Sequence, residues 1–382
     1  MWVISDAAKA ALNKQVQTYI SKCDVISSSG ALLKTLDVTS GDIAVDGTAS
    51  IRRSLAIKLT DPSGTLVPRT AKDLLDPRTG NELRVFRGIV LGTKYATMEA
   101  AVPSQNIEWV PLITARLTNP NITENASGLE ISITGYDRAR AVQRVQWVDR
   151  YFVPYNTTVP AAIRALLLNR VSTLSIITAA SAQLIYGKWF GLDGQSDPWK
   201  DAMSLAELAG WKLRVDPMGV VYAGPIPDPN LQIADWSYVE GTDCMVTDYS
   251  RDLSEDQTYS GVIITAESIA AGTSFQGVAW DTDINSPTYY LGPFGKIPFR
   301  KTITGIGTQI DADAAAAAEL IKVKGLSEKV SITAVPNPAL DADDVIRVTR
   351  SRLGIDAYYV VESITQPIGD GLMKIVCKTR RI

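Results

Sequence analysis

Residues 38–62 read VTSGDIAVDGTASIRRSLAIKLTDP, and this stretch sets the class of fold. Apolar and polar side chains alternate along Gly41–Val45 and along Ala49–Leu59, which is the two-residue period of a half-buried strand. Gly47 separates the two runs, and Asp61-Pro62 ends the second. The stretch therefore predicts two antiparallel strands.

Further runs of the same kind surround this stretch and extend the prediction to a whole domain. They are Cys23–Leu36, Leu83–Leu91, Ile107–Leu117 and Leu129–Thr134. Residues 62–82 are rich in Pro, Gly and Asp and are predicted to form a longer loop. We expect residues 21–145 to form an antiparallel β-barrel or sandwich, preceded by an N-terminal helix within residues 1–20.

Helical signals enter after residue 145. The stretch Thr157-Thr158-Val159-Pro160 supplies a cap followed by a proline suited to the first turn, and Asp197-Pro198-Trp199 begins a second helix in the same way. The letters DPMG at 216–219 suit a type I turn between two short strands. Residues 146–235 are therefore predicted to be an α/β insert.

Strand patterns return in residues 236–382, which we predict to form a second β-domain. One helix is expected at the alanine-rich residues 311–324, whereas residues 268–300 show no period and are predicted to be a long loop. Asp370-Gly371 is a strong hairpin signal. The closing strands are predicted at Lys329–Val335, Asp344–Thr349, Ala357–Thr365 and Leu372–Lys378. The predicted fold class is thus mainly β, with two antiparallel β-domains flanking a helical α/β insert; the two β-domains could be diverged copies of one fold.

The chain has no histidine among its 382 residues, and this absence narrows the chemistry open to it. Imidazole is the proton shuttle of Ser-His-Asp and Cys-His sites and a zinc ligand of HExxH sites, so the sequence excludes these classes. No glycine-rich phosphate-binding motif is present either. We predict a protein that acts through its shape and its contacts with other molecules and is not an enzyme. It is predicted to have no catalytic residue, no cofactor and no metal site.

Charge and cysteine content agree with that prediction. The net charge is −3, whereas a protein that grips nucleic acid needs a basic surplus. The cysteines Cys23, Cys244 and Cys377 are widely separated and lack CxxC spacing, so they are predicted to be small buried side chains in a reducing compartment. No stretch predicts a membrane-spanning segment or a signal peptide.

Four arginines on two predicted strands are the candidate functional residues. One pair interrupts an alternating strand, and the others lie on a second strand. Solvated strand faces and edge protection would explain them, and salt bridges between subunits are the functional alternative. The candidate inter-subunit contacts are Arg52, Arg53, Arg84 and Arg87.

Acidic residues cluster in several places without predicting a metal site. Residues 341–344 read DADD and precede a strand, where an Asx-type turn is the favoured interpretation. Residues 281–292 open like a calcium-binding loop, but Ser286 and Gly292 stand where a glycine and a bidentate glutamate are needed. A glycosidase pair is an open alternative that the sequence alone does not select. Its members would come from Glu99, Glu108, Glu124 and Glu130.

Three stretches, taken in this order, resemble the tail-hub or baseplate-hub proteins of bacteriophages, especially those of siphophages that infect actinobacteria. The first is the stretch 38–62 together with GNELRVFRGI at 80–89. The second is LAELAGWKLRVDPMGVVYAGP at 205–225, which lies between the two β-domains. The third is the alanine-rich helix before VPNPALDADDVIRV at 335–348, followed by a last hairpin that ends in basic residues. The resemblance spans nearly the whole chain.

The resemblance implies a structural virion protein at the tail tip, assembled in the cytoplasm of the host bacterium. Such hubs are homotrimers in which each chain carries two β-domains similar to the tail-tube subunit, so that three chains present a pseudo-hexameric ring. The implied partners are a tail-tube or distal-tail protein above, and tip, spike, fibre and tape-measure proteins. DNA would pass through the lumen without sequence-specific binding.

Two alternatives stay open at this point. One is a distal-tail or contractile-injection adaptor of the same fold, and the other is a β-sandwich protein that binds or acts on carbohydrate. We also expect the loops 62–82 and 268–300 to become ordered through contacts between chains.

Overall fold

Strands dominate the structure, so the prediction of a mainly β fold is confirmed. A computed structural model describes residues 1–14, 19–91, 106–125, 128–191, 197–225, 233–241, 245–268, 273–304, 309–324 and 326–381. A short helix, α1 (Asp6–Leu12), comes first, capped by the Ser5 hydroxyl at the amide of Ala8. The helix predicted within residues 1–20 is longer than α1, because Tyr19 and Ile20 already belong to the first strand.

Seven antiparallel strands form what we call the first module. Their order across the sheet is β2-β1-β5-β6-β7-β4-β3. Side chains of β4 alternate between buried and exposed, and this alternation is the period that the sequence predicts. The strands are β1 (Tyr19–Ile26), β2 (Leu32–Leu36), β3 (Val38–Asp46), β4 (Arg53–Thr60), β5 (Glu82–Val90), β6 (Ile107–Asn125) and β7 (Gly128–Asp137).

The insert folds around a core of its own. Its helices begin where the sequence places them: Asp197 caps α4 by accepting from the amide of Lys200 at 2.9 Å. The core includes Ala139 and Val142, so the insert starts at α2, before the predicted boundary at residue 146. Its elements are α2 (Arg138–Arg144), β8 (Tyr151–Thr158), α3 (Val159–Arg170), β9 (Ile176–Thr178), β10 (Leu184–Phe190), α4 (Pro198–Leu208), β11 (Trp211–Val215) and β12 (Val221–Pro225).

The rest of the chain forms a second module and a small subdomain inserted into it. The elements in chain order are β13 (Trp236–Tyr238), β14 (Val246–Ser254), β15 (Gly261–Ser268), β16 (Thr273–Trp280), β17 (Pro298–Thr304), α5 (Gln309–Val323), β18 (Leu326–Ala334), β19 (Val345–Arg350), β20 (Ile355–Pro367) and β21 (Met373–Arg381). In the subdomain, α5 packs on a separate sheet of order β16-β15-β17. The prediction of a loop throughout 268–300 is wrong for β16 and for the start of β17.

The strand order of the first module recurs in the second. The first module contains β1-β5-β6-β7-β4-β3, and the second contains β13-β19-β20-β21-β18-β14. Corresponding neighbours are antiparallel in both modules, except that β13 pairs with β19 in parallel. Only β2 has no counterpart among the described strands. The chain thus carries one strand arrangement twice.

The two modules are joined edge to edge into one 13-stranded sheet. Residues Asp42–Asp46 of β3 pair antiparallel with Ser363–Pro367 of β20. A single hydrophobic core cluster runs through both modules, and it includes Val45 and Ile364 on either side of this pairing. We call this junction the inner seam.

Candidate functional site: the junction of the three parts of the chain

Charged side chains from the first module, the insert and the second module meet beside the inner seam. They come from the start of β4, from β11 and from the loop that precedes β19. Two arginines and a lysine–arginine pair surround two aspartates. We call this group the junction cluster, and its members are Arg52, Arg53, Lys212, Arg214, Asp341 and Asp343.

Arg53 contacts all three parts of the chain. It begins β4 in phase with the buried residues of that strand, and its side chain is 1% exposed. Its Nη2 donates to Asp341 in the second module, and its Nη1 donates to the carbonyl of Val215 in the insert. Its backbone amide donates to Asp137 Oδ2 at 2.8 Å, at the point where β7 passes into α2.

Arg52 binds the same loop from the neighbouring position. Its Nη1 donates to Asp343 Oδ2 at 2.6 Å, and its Nη2 donates to the carbonyl of Ala342 and lies 3.4 Å from Asp341 Oδ1. Because arginine presents several donors in a rigid plane, adjacent arginines can hold a short loop in one conformation. The loop of the second module is thereby fastened to β4.

Asp343 also accepts the charges of the insert. Lys212 Nζ lies 2.5 Å from its Oδ1, and Arg214 Nη1 lies 3.7 Å from its Oδ2. Its backbone has a φ of 68°, which is the left-handed region that few residues other than glycine adopt. Its amide donates to the carbonyl of Val361 in β20 at 2.8 Å, so contacts on several sides hold this conformation.

The predicted turn at residues 341–344 is present. The amide of Asp341 donates to Asp344 Oδ2 at 2.6 Å, and the amide of Ala342 donates to Asp341 Oδ1 at 2.9 Å. Asp344 Oδ1 in addition contacts the amino group of Met1. The aspartate carboxylates of residues 341–344 therefore stabilise the turn and also form the ion pairs.

Electrostatics fix the protonation of the cluster. Burial acts to raise the pKa of Asp341, but the charges of Arg53 and Arg52 outweigh it and hold that pKa well below its ordinary value. The pKa of Asp343 is lowered too, because Arg52 and Lys212 overcome the effect of burial. At Asp137, by contrast, burial prevails and raises the pKa to about 6. Asp341 and Asp343 are thus held as anions, which makes them unsuited to proton transfer.

A cavity of about 180 Å³ lies beside the cluster, where the first module, the insert and the second module meet. Its lining includes Arg53, Arg214 and Asp341 of the cluster, together with Trp2 and Gln366. A cavity of this size that is bordered in part by charged side chains has room for several water molecules. Water can therefore occupy the cavity that borders the junction cluster.

The structure places the four candidate arginines in three environments. Arg52 and Arg53 lie in the junction cluster, with side chains 4% and 1% exposed. Arg87 is equally enclosed, and its Nη1 donates to the carbonyl of Pro367 at the end of β20. Arg84 is half-buried, with Nε 3.4 Å from Thr114 Oγ1. All four thus have partners within the chain, and a role between subunits stays a prediction.

Sequence reasoning did not name Lys212 and Arg214, nor the pairing of the arginines with the 341–344 loop. One signal was available, since Arg53 falls in phase with Leu55 and Ile57 and so points to the core face. A charge at such a position requires a buried partner. The identity of that partner lay 288 residues further along the chain.

The other predicted clusters have structural roles in the described part of the chain. Asp281 accepts from the hydroxyls of Ser286 and Thr288 at 2.5 and 2.7 Å, which closes a loop. Glu108 accepts from Ser5, and Glu130 pairs with Lys58. Glu124 is exposed, and Glu99 lies outside the described residues.

The residues that the structure describes contain no arranged metal-binding group and no reactive thiol. No group of three or more acidic or cysteine side chains is arranged to hold a metal ion there. Burial raises the pKa of the Cys23 thiol to about 12 and that of Cys377 as well, which makes both thiols inert; Cys244 is not among the described residues. In the same part of the chain, no helix has the length and apolar character needed to cross a bilayer.

The architecture matches solved structures of phage tail proteins. No family model matches the chain, and no curated protein matches its sequence. The tail protein from Neisseria meningitidis MC58 aligns over 94% of this chain and 96% of its own, with a TM-score of 0.63 and 14% identity. The 43 kDa tail protein of prophage MuSo2 from Shewanella oneidensis aligns over 94% and 98%, with a TM-score of 0.61 and 14% identity.

A third match comes from a different bacterium. The prophage tail protein gp18 from Listeria monocytogenes EGD-e aligns over 94% of both chains, with a TM-score of 0.57 and 9% identity. At these identities the similarity concerns the fold. The chain therefore has the fold of phage tail proteins along nearly its whole length.

Proposed function

We propose that the chain is a structural, non-enzymatic virion protein that forms a homotrimeric hub at the tail tip. In this hub, each chain fills two neighbouring positions of a six-position ring around the DNA channel. The ring joins the tail tube or distal-tail protein above to tip, spike, fibre and tape-measure proteins, and it is assembled in the host cytoplasm. The observation that carries the proposal is the repeated strand order, on a fold shared with tail proteins.

The junction cluster supports this role. A hub transmits load between ring and tip, so the insert must keep a fixed position relative to both modules. Arg53 provides that fixation, because one side chain binds the second module and the insert while standing on the first. The net charge of −3 suits a ring that DNA passes without adhering.

The first test is the number of chains in the assembly. Light scattering or native mass spectrometry is expected to give three times the 41.3 kDa chain, and electron microscopy of the particle is expected to show six similar densities around a channel. A ring of six chains would favour the distal-tail or contractile-injection adaptor. A single chain in the particle would overturn the hub.

A second candidate function, carbohydrate binding, rests on exposed aromatic side chains of the insert. Tyr155 and Trp189 are 60% and 51% exposed, and the ring of Phe152 lies 6.3 Å from the first and 4.9 Å from the second, centroid to centroid. Exposed aromatic faces suit sugar rings as well as protein partners. Glycan binding that disappears in Trp189→Ala would support it, and no binding to host cell-wall glycan would reject it.

A further inference from the structure

We propose that the seam between neighbouring subunits repeats the inner seam: β14 of one chain pairs antiparallel with the outer half of β6 of a second copy. The inference rests on the proposed ring and specifies which strands close it, and in which register. We call this contact the outer seam. The argument compares the two strands of the inner seam with their counterparts.

The inner seam has a definite construction on β20. This strand pairs with β19 up to Val360, and it has a bulge at Glu362 in its pairing with β21. On the side of β20 where the pairing with β19 has ended, Ser363–Pro367 pair with β3. The strand thus exchanges one neighbour for another at the bulge.

The counterpart strand β6 has a bulge and an end of pairing at the same positions, but no described strand takes the place that β3 occupies on β20. Strand β6 pairs with β5 up to Arg116, and it has a bulge at Thr118 in its pairing with β7. The bulge follows the last paired residue at the same spacing as on β20. On the side that β5 has left, no described residue forms a backbone hydrogen bond with Asn119–Thr123. A strand edge is therefore open where β20 holds β3.

The strand that corresponds to β3 is β14, and the two share a detailed feature. Each begins with Val-Thr, and each has its bulge at that threonine, Thr39 or Thr247. The Thr39 hydroxyl donates to the carbonyl of Lys58 at 2.9 Å, and the Thr247 hydroxyl donates to the carbonyl of Thr333 at 3.1 Å. Lys58 and Thr333 stand opposite the residue after the bulge in their respective pairs. The two strands therefore align residue by residue.

The outer edge of β14 is also open. This strand ends the large sheet, with β18 on one side and no described strand on the other. Leu253 is 48% exposed, whereas its counterpart Val45 in the inner seam is 7% exposed. An apolar side chain on an open edge is a liability unless assembly covers it. The partner that would cover it is a second copy of this chain.

The backbone groups on both edges point the right way. The amide of Val335 donates to the carbonyl of Met245, and bonding residues alternate along antiparallel strands. The N–H and C=O of Arg251 and Leu253 therefore face away from β18. No described residue bonds to these backbone groups on that side, so they can pair with another strand.

The same alternation applies to β6. The amide of Asp61 donates to the carbonyl of Leu129, so every second residue of β7 from Leu129 onward bonds toward β4 and the residues between them bond toward β6. Pro120 and Ile122 stand opposite residues that bond toward β4. Their own backbone groups therefore face away from β7, on the outward side of β6. Pro120 has no N–H, so the outer seam has one bond fewer than the inner seam. A proline on the outward side also explains how the isolated edge avoids indiscriminate pairing.

Superposing the two seams gives the register. Leu253 lies opposite Pro120, and Asp252 lies opposite Asn121. The latter is a non-hydrogen-bonded pair, in which the Cα atoms are about 4.5 Å apart, within the range that a disulfide spans. The full predicted register is Ser250–Thr123, Arg251–Ile122, Asp252–Asn121, Leu253–Pro120 and Ser254–Asn119.

A disulfide tests the register directly. In a Cys244→Ser chain, Asp252→Cys combined with Asn121→Cys is expected to give covalent dimers and trimers on oxidation. The matched control combines Asp252→Cys with Thr123→Cys, which is displaced by two residues and is expected to give at least tenfold less product. Both sites are exposed, and the native Cys23 and Cys377 are buried.

The outcomes separate the inference from the proposed function. A trimer that fails to cross-link, or that cross-links equally in the displaced control, overturns the outer seam and leaves the hub intact. A chain that is monomeric in solution and in the particle overturns both.

A second variant addresses the same seam without cysteines. Leu253→Lys places a charge opposite Pro120 and is expected to weaken trimer formation at least tenfold, while Leu291→Lys makes the same change at a leucine that is 59% exposed outside both edges. Equal trimer stability in the two variants would count against the outer seam.

Discussion

Arg53 and Asp341 form an ion pair that ties the first module to the second, although 288 residues separate them along the chain. The arginine is 1% exposed and the aspartate 26% exposed. An enclosed guanidinium depends on its counterion, because removing one partner leaves an uncompensated charge away from water. The pair therefore couples the stability of the modules to each other.

Removing the counterion is expected to destabilise the whole chain. Asp341→Asn should lower the free energy of unfolding by about 3 kcal/mol, toward the low end for buried pairs because the aspartate borders the cavity. Denaturant unfolding followed by tryptophan fluorescence measures this. Glu130→Gln, which removes the exposed pair with Lys58, should change it by less than about 1 kcal/mol. Equal effects would show that the junction cluster contributes no more than a surface pair.

The stability of the chain is expected to fall with rising pH through the titration of Asp137. Burial raises its folded pKa to about 6 from 3.8, so between about pH 4 and 6 the folded state holds a proton that the unfolded state has released. This one group then lowers the free energy of unfolding as pH rises, by up to about 1.4 kcal/mol per pH unit.

The variant Asp137→Asn isolates this effect. The difference between its free energy of unfolding and that of the unchanged chain should increase with pH from about 4 to 6 and level off above. The pKa of Asp344, which burial also raises to about 6, affects both chains, so its contribution cancels in the difference. Parallel pH profiles would contradict the raised pKa of Asp137.

The subdomain is expected to depend on the absence of a side chain at Gly277. A Cβ there would overlap the backbone carbonyl of Ala312 in α5, so Gly277→Ala must push the helix off β16. Overpacking of this kind costs about 1–3 kcal/mol. Hydrogen exchange should show faster exchange in α5, whereas Gly369→Ala, where a Cβ meets only the carbonyl of Thr39 at 4.0 Å, should leave α5 unchanged. Unaltered exchange in α5 with Gly277→Ala would refute the close contact.

The 62–82 loop is expected to protect specific amides in the isolated chain. The amides of Arg69 and Thr70 both donate to Asp73 Oδ2 at 2.6 Å, so they should exchange slowly, and Asp73→Ala should accelerate them. Mass-spectrometric hydrogen exchange measures both. Fast exchange in the isolated chain that slows in the assembly would instead support the ordering between chains that the sequence predicts.

Local signals predicted the elements that local chemistry determines. The hairpin whose connection contains Asp370-Gly371 and the cap at Asp197 are present, because they depend on residues within a few positions of each other. The strand β16 was missed because Gly277 interrupts its alternation. The reason for that glycine is the approach of α5, a contact that no local pattern records.

The junction cluster could be predicted only in part. Arg53 is in phase with a buried face, and the turn at residues 341–344 follows from its composition. What brings Arg53 and Asp341 together is the edge pairing of two modules, which neither segment encodes alone. The sequence left the repeat only as a possibility, since the corresponding strands β3 and β14 share the Val-Thr at the bulge but almost no other residue.

The inner seam has a kinetic consequence for assembly. Its two strands belong to one polypeptide, so they meet at the high effective concentration set by the connecting chain instead of by diffusion. In the proposed ring of six modules, every second joint would already be closed when folding ends, so three chains would need only two bimolecular encounters before the ring closes on itself. In the proposed ring, two modules on one chain would thus shorten the nucleation step that ring closure otherwise imposes on a dilute pool of monomers.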